Sequence, residues 1–196
     1  MIPYTTVLLA PLAALLIAGS VPARSDSAAD LEPYAAKARS AVKSMGGALQ
    51  TKLKEALSSG GPVAAVQVCK TVAPAIAEEQ SKTLGMTIRR TALKVRNPDN
   101  APDALERKVL DDFTAQIAAG ADVTKLEHIE VVTQDGKTLV RYFKAIPTAA
   151  APCLVCHGSN LSGELKETID KLYPNDQATG FKEGDLRGAF SVTMDK

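Results

Sequence analysis

The chain reads as an α+β protein. Its first half carries apolar residues at helical spacing, and its second half shifts to alternating strands around an Asp-Gly turn. No βαβ alternation joins the two halves. With 196 residues it fits one domain plus a targeting segment. Its 23 Lys+Arg balance 22 Asp+Glu, so neither nucleic acid nor an anionic membrane surface is expected as its main partner. Trp is absent and aromatics make up only 4%, which argues against a base-stacking or sugar-stacking site. Three cysteines are too few for a disulfide scaffold.

Residues 1–23 contain no Asp, Glu, Lys or Arg. Val7 to Ala18 is apolar apart from Pro11 in composition, and Val21-Pro22-Ala23 supplies small residues for cleavage, so the segment reads as a signal peptide. The leading MIPYTT lacks the usual basic residue. The apolar run is well short of the roughly 20 residues that span a bilayer. Export to the periplasm, with no stable membrane anchor after cleavage, is the expectation.

From Leu31 to Ala56, apolar residues recur at three- and four-residue steps, which predicts a helix over 27–58. Ser27 or Asp30 would cap its start, Gly46-Gly47 allows a bend, and Gly60-Gly61-Pro62 ends it. A second helix begins at Pro62, kinks or restarts at Pro74, and stops at Gly85. Thr87 to Val95 is extended, and the Pro-rich stretch 97–102 is irregular. Residues 103–119 form a helix that buries Leu105, Val109, Leu110, Phe113 and Ile117, its charges forming a solvated face. Ile129–Val132 and Thr138–Phe143 then form a hairpin about Asp135-Gly136. A loop over 146–160, a short helix near 161–172, a second loop over 174–186 and a strand from Arg187 to Met194 complete the chain. About four strands cannot bury both faces alone, so helices or a cofactor must cover them.

Chemistry concentrates at Cys153-Leu154-Val155-Cys156-His157, the C-x-x-C-H signature of c-type haem attachment. Two thiols three positions apart reach the two vinyl groups of one porphyrin. The adjacent histidine then presents a ring nitrogen to the iron beneath that tether. From this composition the pattern arises by chance roughly once in two thousand such sequences. A redox dithiol lacks a surrounding βαβ unit, and zinc needs a fourth ligand. Haem c, one and covalent, is the expected cofactor, with Cys153 and Cys156 attaching it and His157 ligating its iron.

Cys69 is then a lone cysteine in an oxidising compartment. It is either a buried apolar filler or a thiolate on the iron opposite His157. The residues alone leave that sixth position open between Cys69, His128, a methionine (Met45, Met86 or Met194) and no protein ligand. Alternation over 87–95 places Arg89 with Leu93 and Val95, away from Arg90 and Lys94. Arg89 therefore calls for a carboxylate, with a haem propionate as one candidate and solvent reached along its stem as the other reading.

Ala65 to Lys70, Arg89 to Pro98, the Cys153–His157 motif, Tyr173-Pro174 and Gly184 to Ser191 together resemble the c-type haem PAS-like family. That family comprises exported single-haem cytochromes and the sensing parts of histidine kinases and chemoreceptors. The resemblance spans nearly all of 30–196. It implies a PAS-like antiparallel sheet with N-terminal helices, a helix over 24–60 and a haem-binding domain over 61–196. It also implies iron held by His157 and a Cys69 thiolate. No kinase, methyl-accepting or transmembrane segment follows Lys196, a departure from the family's signalling members.

A thiolate cancels the single net positive charge of ferric haem, so reduction leaves a buried negative charge and the oxidised form is favoured. Axial choice moves haem potentials over roughly 0.8 V, with thiolate at the low end. Reduction would also favour protonation and departure of Cys69. The expected function is a haem-based redox or gas sensor module, with a low-potential periplasmic electron-transfer cytochrome as the alternative. Its partner would be a redox or signalling protein, with a small gas as the candidate ligand. Two strong axial ligands argue against an enzyme.

Overall fold

The computed structural model describes residues 27–196; the expected signal peptide, 1–23, lies outside them. Helix α1 (Ala28–Leu84) starts in a capping box, with Ser27 accepting from the Asp30 amide and Asp30 accepting from that of Ser27. Gly61, at φ 68° and ψ −165°, breaks the helix where Gly60-Gly61-Pro62 predicted, and Pro62 opens the second run. Gly85 ends it in the left-handed conformation at φ 62°. Pro74 does not restart the helix, and Gly61 alone has non-helical dihedrals inside α1. Ala65, Val66 and Ala73 are buried around Pro74, and their packing holds the helix through the hydrogen bond the proline cannot donate.

Strands β1 (Thr87–Thr91), β2 (Glu127–Gln134), β3 (Lys137–Pro147) and β4 (Leu186–Asp195) form one antiparallel sheet ordered β1-β4-β3-β2. Asp135 at φ 51° and Gly136 at φ 75° make the tight turn between β2 and β3, pairing Gln134 with Lys137. The extended stretch beginning at Thr87 is shorter than expected. It ends at Thr91, where the Ala92 amide donates to the Asn100 carbonyl, and Pro98–Asn100 forms a 3-10 turn.

Helices cover both sheet faces. Ala35, Ala38, Ala41 and Met45 of α1 pack on Ile88, Val140, Tyr142, Val192 and Met194. The small alanine side chains let the helix axis approach the sheet closely. Helix α2 (Ala104–Ala118) buries Val109, Leu110 and Phe113 against Phe143, Ala145 and Ala189 on the other face. Its charged side is not wholly solvated, because Glu106 is 1% exposed. The second run of α1 forms a third, smaller cluster, where Val66 meets Leu165, Ile169 and Tyr173 at and just beyond helix α4 (Gly163–Leu172). Cys156, in helix α3 (Cys153–His157), packs against that cluster.

Candidate functional site

The short helix α3 carries Cys153, Cys156 and His157 within barely more than one turn. The loop after α4 runs alongside it. Phe181 N donates to His157 O at 3.0 Å, and Gly180 N donates to Gly158 O at 3.1 Å. The same loop turns the Ala178 carbonyl toward the His157 ring, at 2.7 Å from Nδ1. A carbonyl only accepts, so Nδ1 carries the proton and Nε2 is left with a free lone pair. Burial, followed by the nearby Arg187 and Arg96 guanidiniums, pushes the His157 pKa down to about 3, while the Ala178 bond opposes the shift. His157 is therefore a neutral nitrogen donor at neutral pH.

Arg96 ties the motif to this loop. Its Nη2 donates to Cys156 O at 2.7 Å, to Asp176 Oδ2 at 2.9 Å and to Ala178 O at 3.2 Å. Asp176 Oδ1 in turn accepts from Ala178 N at 2.8 Å. The Arg96 and Asp176 side chains are 8% and 6% exposed, so this ion pair is buried and its hydrogen bonds are weakly screened.

Cys69 lies one turn beyond Val66 on the second run of α1, half-buried. Burial raises its thiol pKa, and Arg90, Arg96 and Arg187 oppose that rise. The same three guanidiniums act on the His157 imidazole. Cys156, also raised chiefly by burial, feels the Cys69 sulfur as a neighbouring negative group. Val66, one turn before Cys69, belongs to the cluster that Cys156 packs against, so Cys69 and the motif lie on one flank although they are 84 positions apart in the sequence. The other candidates for the sixth position lie elsewhere. Met45, Met86 and Met194 are buried in the core between α1 and the sheet. The His128 side chain is 37% exposed and bound to Glu130 at 3.2 Å.

Arg89 does find a carboxylate, but it belongs to Glu106, at 2.8 Å, with further bonds to the Asp99 and Ala101 carbonyls. This pairing takes Arg89 to the α2 face of the sheet and removes it as a propionate partner. The cations that face the motif are instead Arg90, Arg96 and Arg187, to which the sequence had assigned no role. Their contacts cross long stretches of chain, as the 80-position separation of Arg96 and Asp176 illustrates, so local periodicity carries no trace of them.

The donor set fits a covalently held haem. Two thiols stand at vinyl spacing on one helix, an unprotonated Nε2 adjoins them, and a further sulfur shares their electrostatic surroundings. Among the described residues no group of three or more His, Cys, Asp or Glu is placed to hold a metal ion on its own.

Fold and site define an α+β protein with N-terminal helices, a four-stranded antiparallel sheet consistent with a PAS-like fold, and a Cys-x-x-Cys-His helix on its flank. The chain belongs to the Tll0287-like family, whose model matches residues 24–195. It is similar to the solved structure described as the cyanobacterial heme-protein Tll0287. That match has 25% identity and a TM-score of 0.57, and covers 87% of this chain and 98% of the other. No curated protein matches the chain.

Proposed function

We propose that this chain is a haem protein. In finer terms it is an exported mono-haem c-type cytochrome, joined to haem through Cys153 and Cys156, with His157 and Cys69 as axial ligands. The observation that carries this proposal is the His157 Nδ1 to Ala178 O contact of 2.7 Å, which leaves Nε2 free beside two thiols. Membership of a family that includes a structure described as a heme-protein supports it.

Bound there, haem supplies a one-electron ferric/ferrous couple. The chain's own groups determine how that couple behaves. Ala178 fixes the tautomer and ring orientation of His157. Arg90, Arg96 and Arg187 favour the Cys69 thiolate against the burial that raises its pKa. With haem held there, an added electron would make the half-buried Cys69 thiolate the least tolerable charge in the site, and Sγ of Cys69 would take up a proton and withdraw. A position opened in this way suits a redox or gas sensor module, with a signalling protein or redox partner reading the change.

A direct test is carbon monoxide binding to the ferrous protein beside a Cys69→Ala variant. A sensor of this kind binds the gas in both ferrous proteins, because Cys69 has already left the iron in the reduced wild type. Retention of Cys69 in both redox states, with no gas binding and rapid electron exchange with a periplasmic donor, would instead identify a low-potential electron carrier. Among the described residues no helix is long and apolar enough to cross a membrane.

A further inference from the structure

Two of the three guanidiniums at the site form no ion pair, although Asp176 also acts on Arg187 at longer range. Arg96 is neutralised by Asp176 at 2.9 Å. The Arg90 side chain makes no hydrogen bond or ion pair with any described residue, and the groups it senses are the Cys69 thiol and the Tyr173 hydroxyl. Arg187 donates only to Lys94 O, at 3.3 Å, and its guanidinium lies 5.4 Å from the centre of the Phe181 ring. Phe181 stands edge-on to His157, with ring centroids 6.2 Å apart, so Arg187 reaches the motif's surroundings across that ring.

The strands aim both side chains. Arg90 lies opposite Phe190, on the sheet face shared with Ile88 and Val192, the face that α1 and Cys69 occupy. By simple alternation along β4, Arg187 would point the other way, with Ala189 and Ser191. The ladder slips there: Ile146 pairs with Gly188 and the adjacent Pro147 pairs with Leu186, leaving Arg187 as the extra residue of a bulge. Leu186 therefore packs toward α2, as Ala189 does, although the two are three positions apart. Arg187 is thereby turned out of the α2 side. Burial lowers the pKa of both arginines, that of Arg187 to about 10, so an unpaired guanidinium is costly in each place.

We propose that Arg90 and Arg187 hold the two propionate carboxylates of the haem, and that the bulge in β4 aims Arg187 at one of them. Two half-buried cations without ion-pair partners match a cofactor that brings two carboxylates. The guanidinium fork suits a carboxylate through paired N–H donors. This inference rests on the haem assignment above.

The test is resonance Raman spectroscopy of the matured holoprotein, comparing the wild type with Arg90→Gln, Arg187→Gln and the control Arg89→Gln, whose partner is Glu106. Pyridine haemochrome assay of the wild type first establishes that haem is attached. Loss of a guanidinium loosens the propionate bending vibration, so one band is expected to move to lower frequency in each of the first two variants. The control should leave both bands in place. Arg90→Lys and Arg187→Lys keep the charge while losing the fork, and serve if a glutamine variant fails to mature; a smaller shift of the same band is expected. Wild-type protein with covalent haem but unmoved bands in the Arg90 and Arg187 variants overturns the propionate assignment and leaves the haem reading intact. Wild-type protein without haem overturns both.

Discussion

Nδ1 of His157 and Nη2 of Arg96 share one acceptor, the Ala178 carbonyl, at 2.7 and 3.2 Å. The same Arg96 nitrogen holds the carbonyl of Cys156, at 2.7 Å. A single buried guanidinium thus fixes both the backbone that carries the motif and the group that orients its imidazole. Replacing Arg96 by Met would strand Asp176, whose side chain is 6% exposed. Breaking a buried pair from one side costs about 3–5 kcal/mol. Urea unfolding of Arg96→Met should show a loss of that size, and Arg96→Met with Asp176→Leu should recover part of it. A single-variant loss below about 1 kcal/mol would show that the pair does not organise the loop.

Gly188 sits where β4 passes the end of β1. A Cβ there would clash with the Thr91 carbonyl oxygen and lie 3.1 Å from the Ala92 side chain. Gly188→Ala must push the two strands apart beside Arg90 and Arg187. Overpacking of this kind costs about 1–3 kcal/mol. Thermal unfolding should show it, and an unchanged melting temperature would mean that the strands do not approach this closely in solution.

Glu127 links β2 to the first run of α1. It accepts from Arg39 Nη2 at 2.6 Å and from the Tyr142 hydroxyl at 2.8 Å. The Arg39 bond, more than any other influence, holds its carboxyl below the usual value of 4.5. A carboxylate lowered on folding stabilises the protein above its unfolded pKa, and that contribution is lost as pH falls through the folded one. Stability should therefore decline from about pH 4.5 downward, and Glu127→Gln should flatten that decline while lowering stability at pH 7. The Glu127 side chain is 32% exposed, so the effect is a modest one, read as a shift in the acid-unfolding midpoint. Superimposable acid titrations of the two proteins would rule it out.

Local signals in the sequence specified most of the framework. Ser27 with Asp30, Gly61, Gly85 and the Asp135-Gly136 turn each act within a few residues, so their spacing alone is informative. The Cys153-x-x-Cys156-His157 pattern is local in the same way, which is why the proposal for the site starts from it. Pro74 misled because burial of Ala73 and Val66, a tertiary effect, outweighs one missing hydrogen bond. Glu106 looked solvated on a charged helix, yet Arg89 and Arg141 draw it to 1% exposure. Arg89 was left between a carboxylate partner and solvent, and nothing local distinguished Glu106 from a propionate. The roles of Arg90, Arg96 and Arg187 depend on a loop, a bulge and a helix meeting in space, and no window of sequence contains them together.

Cys69→Ser tests whether the Cys69 sulfur ligates the iron or serves attachment. Thioether attachment depends on Cys153 and Cys156, so the variant should retain covalent haem on a denaturing gel. Its ferric absorption should lose the features of sulfur ligation. Loss of the haem itself from the gel would mean that Cys69 acts in attachment or folding, not in ligation of the iron.

The most direct measurement is the electron paramagnetic resonance spectrum of the ferric, fully matured protein, taken beside that of Cys69→Ser. A low-spin signal with the narrow spread of g-values characteristic of thiolate ligation, replaced by a different signal in the variant, is the predicted result. A spectrum identical in both proteins would place the Cys69 sulfur away from the iron and contradict the account.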